Sequence, residues 1–245
     1  MADIFKNKLI SVITPIYDRT AILRQSIESV LEQGFDHFEL LLIMDGSPQA
    51  TRDVVMSYKW HPKVRIFETE KQTGNACIPR NIGATEARGE YLVFQDSDDI
   101  MLPSRLDVSF HELQQTDMIY GNYRILEKDK LTEAKTTQAD LRQMLNNGNH
   151  INQGTVAMKR KVYLEAGGCK RKMNYCEDYE LWCRIMNLCF RVKYVNEFLS
   201  IYRKHEGNLE KSIGDLERWK PVLDKEYRIT PEQMDLCEYK EITIC

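Results

Sequence analysis

Asp96-Ser97-Asp98-Asp99 sets three carboxylates within four positions. Groups that close repel one another. A hard divalent cation, which takes oxygen ligands and shares its sphere with phosphate, would relieve the repulsion. The competing reading is a solvated acidic turn in which Ser97 or Asp99 caps the next helix. A second acidic pair, Glu177-Asp178, stands just ahead of Leu181, Ile185 and Leu188, a helical apolar stripe widened by Trp182 and Met186. That spacing puts both carboxylates in a first helical turn, where complementing the helix dipole is worth roughly 0.3–1 kcal/mol without any chemistry. Asp45, in the turn Asp45-Gly46-Ser47-Pro48, is a further candidate. So are Arg80, in Arg80-Asn81-Ile82-Gly83, and His205, in the polar stretch Tyr202-Arg203-Lys204-His205-Glu206-Gly207-Asn208.

The elements that must hold these groups follow from periodicity. Tyr91 to Phe94 is aromatic and β-branched and reads as a short buried strand. An unpaired carboxylate cannot be buried cheaply, so the acidic triplet belongs at that strand's carboxyl edge, facing water, a cation or a ligand. Leu9 to Thr14 predicts a buried first strand, followed by the loop Pro15-Ile16-Tyr17-Asp18-Arg19. A helix begins at Thr20 as N-cap, with Leu23, Ile27, Val30 and Leu31 on one face. Phe38 to Met44 is nearly all apolar, as a parallel strand covered on both faces requires. Thr51 to Tyr58 predicts a helix, Val64 to Glu68 a third strand, and Pro79 onward a short helix ending at Gly89. This βαβαβ order implies a parallel sheet with helices on its faces, and it lines Asp45 up with the acidic triplet along one edge. Pro103 opens another helix, Met118 to Leu126 is a strand, and Glu127 to Gln138 a polar loop. Beyond these lie a small helix at Leu141 to Leu145, a strand at Thr155 to Met158, and a short helix from Arg160 to Gly167. Arg191 to Asn196 and Leu199 to Tyr202 complete the pattern as two short strands.

The chain has 245 residues, 42% of them hydrophobic and 29% charged, with a formal charge of −3. These values suit one large globular domain with or without an appendage. No basic stripe argues for nucleic acid. No apolar run approaches the length of a membrane span, and the N-terminal residues lack the apolar core of a signal peptide. Seven cysteines without a Cys-x-x-Cys pair predict buried thiols in a reducing compartment rather than disulfides or a zinc site.

With its pieces placed, the chain resembles the family 2 glycosyltransferases, inverting enzymes of the GT-A fold. The resemblance runs from about Leu9 to Asn208. It rests on Ser11-Val12-Ile13-Thr14-Pro15-Ile16-Tyr17, Asp45-Gly46-Ser47, Arg80-Asn81-Ile82-Gly83, Asp96-Ser97-Asp98-Asp99 and Glu177-Asp178-x-x-Leu181-Trp182, in that order, with Tyr202-Arg203-x-His205-x-x-Asn208 behind them. It implies an α/β, Rossmann-like GT-A fold: a central, mostly parallel mixed sheet flanked by helices. Residues 1–208 would form the transferase domain, with a donor-binding half to about residue 102 and an acceptor-binding half after it. Residues 209–245 would be a helical appendage or tail.

The resemblance further implies a nucleotide-diphosphate sugar donor and Mn²⁺ or Mg²⁺. Asp98 would ligate the ion, with Asp96 near it or on the ribose, and His205 as a third ligand, a diphosphate contact or simply an exposed side chain. Asp45 would accept a ring N–H of the base, which favours uracil or thymine. Pro15, Tyr17, Asp18 and Ser97 would line the donor pocket. Arg80 would lie near the diphosphate or pair with a sheet-edge aspartate. Asp178 would be the general base, oriented by Glu177, and Trp182 would belong to the core. The acceptor would be a glycan or lipid-linked glycan, and the location cytoplasmic, at the membrane face if the acceptor is lipid-linked. Among rival enzymes, a sugar nucleotidyltransferase would need a Gly-rich phosphate loop after the first strand, where Pro15-Ile16-Tyr17-Asp18 stands. A dehalogenase-type phosphatase would need its Asp-x-Asp on that first strand. A degenerate binding module would be expected to lack some of the acidic residues present here.

Overall fold

The computed structural model describes residues 8–171, 176–205 and Tyr227. Asn174, Tyr175, Asn208 and, apart from Tyr227, the expected C-terminal appendage lie outside the described residues. In chain order the elements are β1 (Ile10–Ile16), α1 (Thr20–Leu31), β2 (Phe38–Met44), α2 (Gln49–Met56), β3 (Val64–Glu68), α3 (Cys77–Glu86) and β4 (Tyr91–Phe94). They continue with β5 (Ile100–Met101), α4 (Arg105–Glu112), β6 (Met118–Glu127), β7 (Lys130–Ala134) and α5 (Leu141–Asn147). After a 3-10 turn at Gln153–Thr155 come β8 (Ala157–Lys159), α6 (Arg160–Glu165), α7 (Glu177–Asn187) and β9 (Val192–Arg203).

One sheet carries the strands in the order β3-β2-β1-β4-β8-β6-β9-β5, with β7 paired to β6. β1 to β4 are mutually parallel where they pair. β8 runs antiparallel to both β4 and β6, and β6 is parallel to β9. Two reversals restore the original direction, so β6 and β9 end on the same edge as β1, β2 and β4. Alternation along the strands sorts the core into two layers. Ile10, Val12, Leu40, Leu42, Tyr91 and Val93 pack on one face with Leu23, Ile27 and Val30 of α1. Ile13, Leu41, Ile43, Leu92 and Phe94 pack on the other with Tyr163 of α6 and Leu181, Trp182 and Ile185 of α7. Gly83 lets α3 lie directly on β1, since a Cβ there would run into Ile13 Cγ2.

Several expectations are corrected. Thr20 is the first residue of α1, not its cap; Arg19 holds the cap position without a side-chain cap bond, and Thr20 instead shares a hydrogen bond with Thr51 at 2.7 Å. α2 starts two residues earlier than its apolar pattern indicates. Pro79 falls inside the first turn of α3, where its missing N–H costs nothing. The stretch read as a polar loop contains β7, joined to β6 by a two-residue turn at Lys128 and Asp129, both at positive φ. Cross-strand pairing, not burial, makes this hairpin, so its composition hides it. The two strands expected after Arg191 are one, β9, interrupted only by register shifts opposite Gly121 to Tyr123. Leu188 ends the α7 stripe at the surface, 44% exposed. Cys77, Cys169, Cys176 and Cys183 are buried free thiols, whereas Cys189, past the end of α7, is disulfide-bonded. Among the described residues no helix is long and apolar enough to cross a membrane.

Candidate active site

Everything chemically loaded collects at the carboxyl edge of the sheet. β1 delivers Pro15 and, just beyond its end, Tyr17 and Asp18, the last two exposed. β2 delivers Asp45, which is 5% exposed and donates its backbone N–H to Ile16 O at 2.7 Å. Its Oδ1 accepts from Thr69 Oγ1 and the Thr73 backbone N–H, both at 3.0 Å, and its Oδ2 from Thr73 Oγ1 at 2.9 Å. Asp45 therefore shapes the loop over residues 69–75 and keeps spare lone-pair capacity on Oδ2. Gly46, at φ +64, is required beneath that loop, because a Cβ would lie 2.5 Å from Gln72 N.

β4 delivers the acidic triplet, and Arg105 anchors its end. That guanidinium is fully buried and donates to Gln95 Oε1 at 3.0 Å, Phe94 O at 2.6 Å and Val156 O at 3.3 Å. Burial pulls Arg105 down to about 9, with Asp96 and Asp99 opposing the shift. The triplet then divides. Asp96, Ser97 and Asp98 are half-buried and line the edge, whereas Asp99 is 2% exposed and accepts the Arg203 backbone N–H at 2.9 Å. Burial, then the charges of Asp96 and Asp98, push Asp99 well above the usual carboxylate range. The expectation that the whole triplet faces water, a cation or a ligand fails at Asp99, which is buried because β9 brings a backbone donor to pair with it. Neither Ser97 nor Asp99 caps a helix; the cap of α4 is Ser104.

Asp98 Oδ2 is 3.0 Å from Arg19 Nε and 3.2 Å from His205 Nε2. Asp96 turns the other way, to Arg80 Nη2 at 2.9 Å. Arg80 sits on α3 with its side chain 7% exposed, and its Nη1 reaches Glu177 Oε1 at 3.3 Å. Burial alone would lower this guanidinium's pKa, but the flanking carboxylates, Asp96 foremost, hold it above its ordinary value. So the alternative of a sheet-edge ion pair for Arg80 is realised, and the same side chain also spans to the helix that carries the second acidic pair.

On α7, Asp178 Oδ1 accepts the Tyr179 backbone N–H at 2.7 Å and its Oδ2 accepts Asn149 Nδ2 at 3.1 Å. Burial, then the Glu177 charge, raise Asp178 to about 7, against the opposing pull of Tyr179 N–H, Arg80 and Asn149. A carboxylate poised there can hold or release a proton near neutrality. Trp182 is fully buried in the core.

Among the described residues no three His, Cys, Asp or Glu side chains converge as a cation cage. The pair that does meet, Asp98 and His205, fits two neighbouring positions on a hexacoordinate ion. Such an ion holds ligands at about 2.1 Å, which puts adjacent ones about 3.0 Å apart. Phosphate oxygens and water normally complete such a sphere. Asp96 is committed to Arg80, so the trio Asp96, Asp98 and His205 is brought together only as a pair. Sequence reasoning missed Arg19, Asn149 and the buried Glu180. Of these only Glu180 left a readable signal, its i,i+4 spacing to Arg184.

Carboxylates at the switch-point edge of an α/β sheet, faced by a carboxylate pair on a helix, are arranged as the resemblance to the GT-A glycosyltransferases implies. The family model for glycosyl transferase family 2 matches residues 11–168, and the chain belongs to that family. It is 23% identical to the glycosyltransferase GlyG of Streptococcus pneumoniae, over 89% of this chain and 78% of GlyG. It is 28% identical to the O-antigen biosynthesis glycosyltransferase WbnJ of Escherichia coli, over 83% of each. Other relatives are longer; the chain spans 36% of an uncharacterized glycosyltransferase of Rickettsia felis. Among solved structures it superposes on S. aureus TarS 1-349 in complex with UDP-GlcNAc with TM-score 0.75 at 17% identity, covering 94% of this chain and 70% of that one. On the mannosyltransferase PcManGT of Pyrobaculum calidifontis, in complex with GDP-Man and Mn²⁺, the TM-score is 0.64 at 14% identity, covering 91% and 70%.

Proposed function

We propose that the chain moves one sugar, with inversion, from a UDP- or dTDP-sugar to a hydroxyl of a glycan or lipid-linked glycan acceptor. The observation that carries this reading is Arg80, whose guanidinium joins Asp96 on the donor side to Glu177 on the acceptor side. Pro15, Tyr17, Asp18 and Ser97 line the donor pocket, Asp96 faces the ribose, and Asp45 faces the base from behind its loop. The acceptor hydroxyl attacks the anomeric carbon opposite the diphosphate while Asp178 takes its proton, and the sugar–phosphate C–O bond breaks. Glu177, held by Arg80, orients the acceptor beside Asp178. Asp98 and His205 hold Mn²⁺ or Mg²⁺, which supplies positive charge to the leaving diphosphate when bound. The UDP-GlcNAc seen with TarS and the GDP-Man and Mn²⁺ seen with PcManGT support a nucleotide sugar and a divalent ion in general. The choice of uracil or thymine rests on Asp45 alone.

The test is calorimetry of UDP binding with and without Mn²⁺. The wild type should bind UDP about tenfold tighter with the ion, a difference of about 1.4 kcal/mol, and Asp98→Ala should lose that gain while remaining folded. An unchanged Mn²⁺ effect in the variant would remove Asp98 from the ion site.

A further inference from the structure

Glu180 is a fully buried carboxylate on α7, two residues after Asp178. A buried carboxylate is tolerable only when its lone pairs are spent on charged or strong donors. Here Arg184, one turn along, grips both oxygens, Nε on Oε1 at 2.9 Å and Nη2 on Oε2 at 2.5 Å. Lys170 Nζ reaches Oε1 at 2.8 Å. The last donor comes from far along the chain: the Tyr227 hydroxyl hydrogen-bonds to Oε1. Tyr227 is itself 4% exposed and belongs to the core cluster that contains Trp182 and Ile185. Lys170 stands over its ring, 6.0 Å from the centroid.

This cage is wired outward to the proposed site. Arg184 also donates to Ala166 O and to Gly168 O, the latter at 2.8 Å. The next residue, Cys169, exchanges two hydrogen bonds with Asn81, the neighbour of Arg80 on α3. Two residues on, Arg171 donates to Thr73 O at 3.0 Å while Asn75 donates to Arg171 O at 3.1 Å. Residues 166–171 are thus a spacer between α3 and α7, and Glu180 is the point that fixes it to α7. The separation it sets is the one that Arg80 of α3 bridges to Glu177 of α7 at 3.3 Å.

We infer that Tyr227 is a positioning residue for sugar transfer, acting through Glu180 to hold the first turn of α7, with Glu177 and Asp178, at its working distance from the donor site. This rests on the proposed function for its catalytic consequence. The C-terminal region therefore contributes to turnover through at least this side chain. A shift of about 1 Å in a reacting group can cost roughly 10²-fold in rate, so the effect belongs in turnover rather than in donor affinity.

Tyr227→Phe removes the hydroxyl and keeps the ring; Tyr227→Ala removes both. Three measurements are made on each: amide hydrogen exchange, hydrolysis of a panel of UDP-sugars with Mn²⁺, and UDP affinity. Exchange across residues 180–186 should rise about tenfold while α1 is unchanged, the mark of a local rather than global loosening. Hydrolysis of the wild type's best donor should fall about tenfold or more at a temperature where circular dichroism shows the variant folded, with UDP affinity within about twofold. Unchanged exchange in α7, unchanged hydrolysis despite a lower Tm, or UDP affinity falling in step with hydrolysis would each overturn the inference. A wild type that hydrolyses no donor in the panel would count against the proposed function, and the exchange measurement alone would then decide the role of Tyr227.

Discussion

Asp178→Asn tests the proposed base and the environment of that carboxyl together. The substitution keeps shape and most hydrogen bonding but removes the proton acceptor. Transfer should fall by roughly 10²–10⁴-fold with donor affinity intact, because a base acts on the acceptor in the transition state. The wild-type rate should rise with pH and level off above about 7, where Asp178 becomes ionised; the variant should show no such rise. Stability carries a second, opposite signature. The folded-state pKa is raised from 3.8 to about 7, so between those values the folded protein binds a proton that the unfolded chain has released. Wild-type stability therefore declines as pH climbs through that window and stays reduced above it. At about 1.36 kcal/mol per pKa unit the ceiling is about 4 kcal/mol. Asp178 is only half-buried, and solvent screening discounts this to about 1–2 kcal/mol. Asp178→Asn should then melt a few degrees above wild type at pH 8, at about 2–4 °C per kcal/mol for a chain of this size, and with it at pH 4. Thermal melts across pH and transfer or donor-hydrolysis rates on the same samples read both. Near wild-type turnover would move the base elsewhere, with Glu177 next in line. Equal melting curves at all pH values would refute the raised carboxyl.

Two further outcomes follow from geometry already described. Asp45 offers only acceptor atoms to a base, so UDP or dTDP should bind at least about tenfold tighter than CDP, the scale of one mismatched hydrogen bond; equal affinities by calorimetry would take Asp45 out of base recognition. Gly83→Ala forces a methyl against Ile13 and should destabilise by about 1–3 kcal/mol. That lowers Tm while UDP affinity stays unchanged, and an unchanged Tm would show that α3 is free to lift from β1.

The sheet edge was legible because parallel strands announce themselves. Leu40 to Met44 is apolar without interruption, and each such run ends abruptly in a polar turn where Asp45 or Asp96 stands. Glu177 and Asp178 were legible from the helical stripe behind them. What was hidden depends on partners distant in sequence. Asp99 looked like its neighbours until β9 supplied the Arg203 N–H. The role of Arg80 as a bridge needed both Asp96, 16 residues away, and Glu177, 97 residues away. The β6–β7 hairpin escaped notice because Lys130 to Glu133 are exposed and owe their extended form to Leu126, Ile125 and Arg124 across the turn.

That hairpin has a consequence for solubility. A sheet of this width must end somewhere, and an unpaired edge invites another chain to add to it. Among the described strands, β5 closes one end of the order with two residues, too short a template to extend. β3, at the other end, has Arg65 tied to Glu39 at 3.0 Å and Glu68 paired with Arg52. β7 matches β3 in length but is more exposed, and it presents Lys130 and Glu133, with Lys135 following. Alternating charge on this edge strand penalises in-register stacking of a second copy, so β7 widens the sheet beyond β6 without becoming a seed for aggregation.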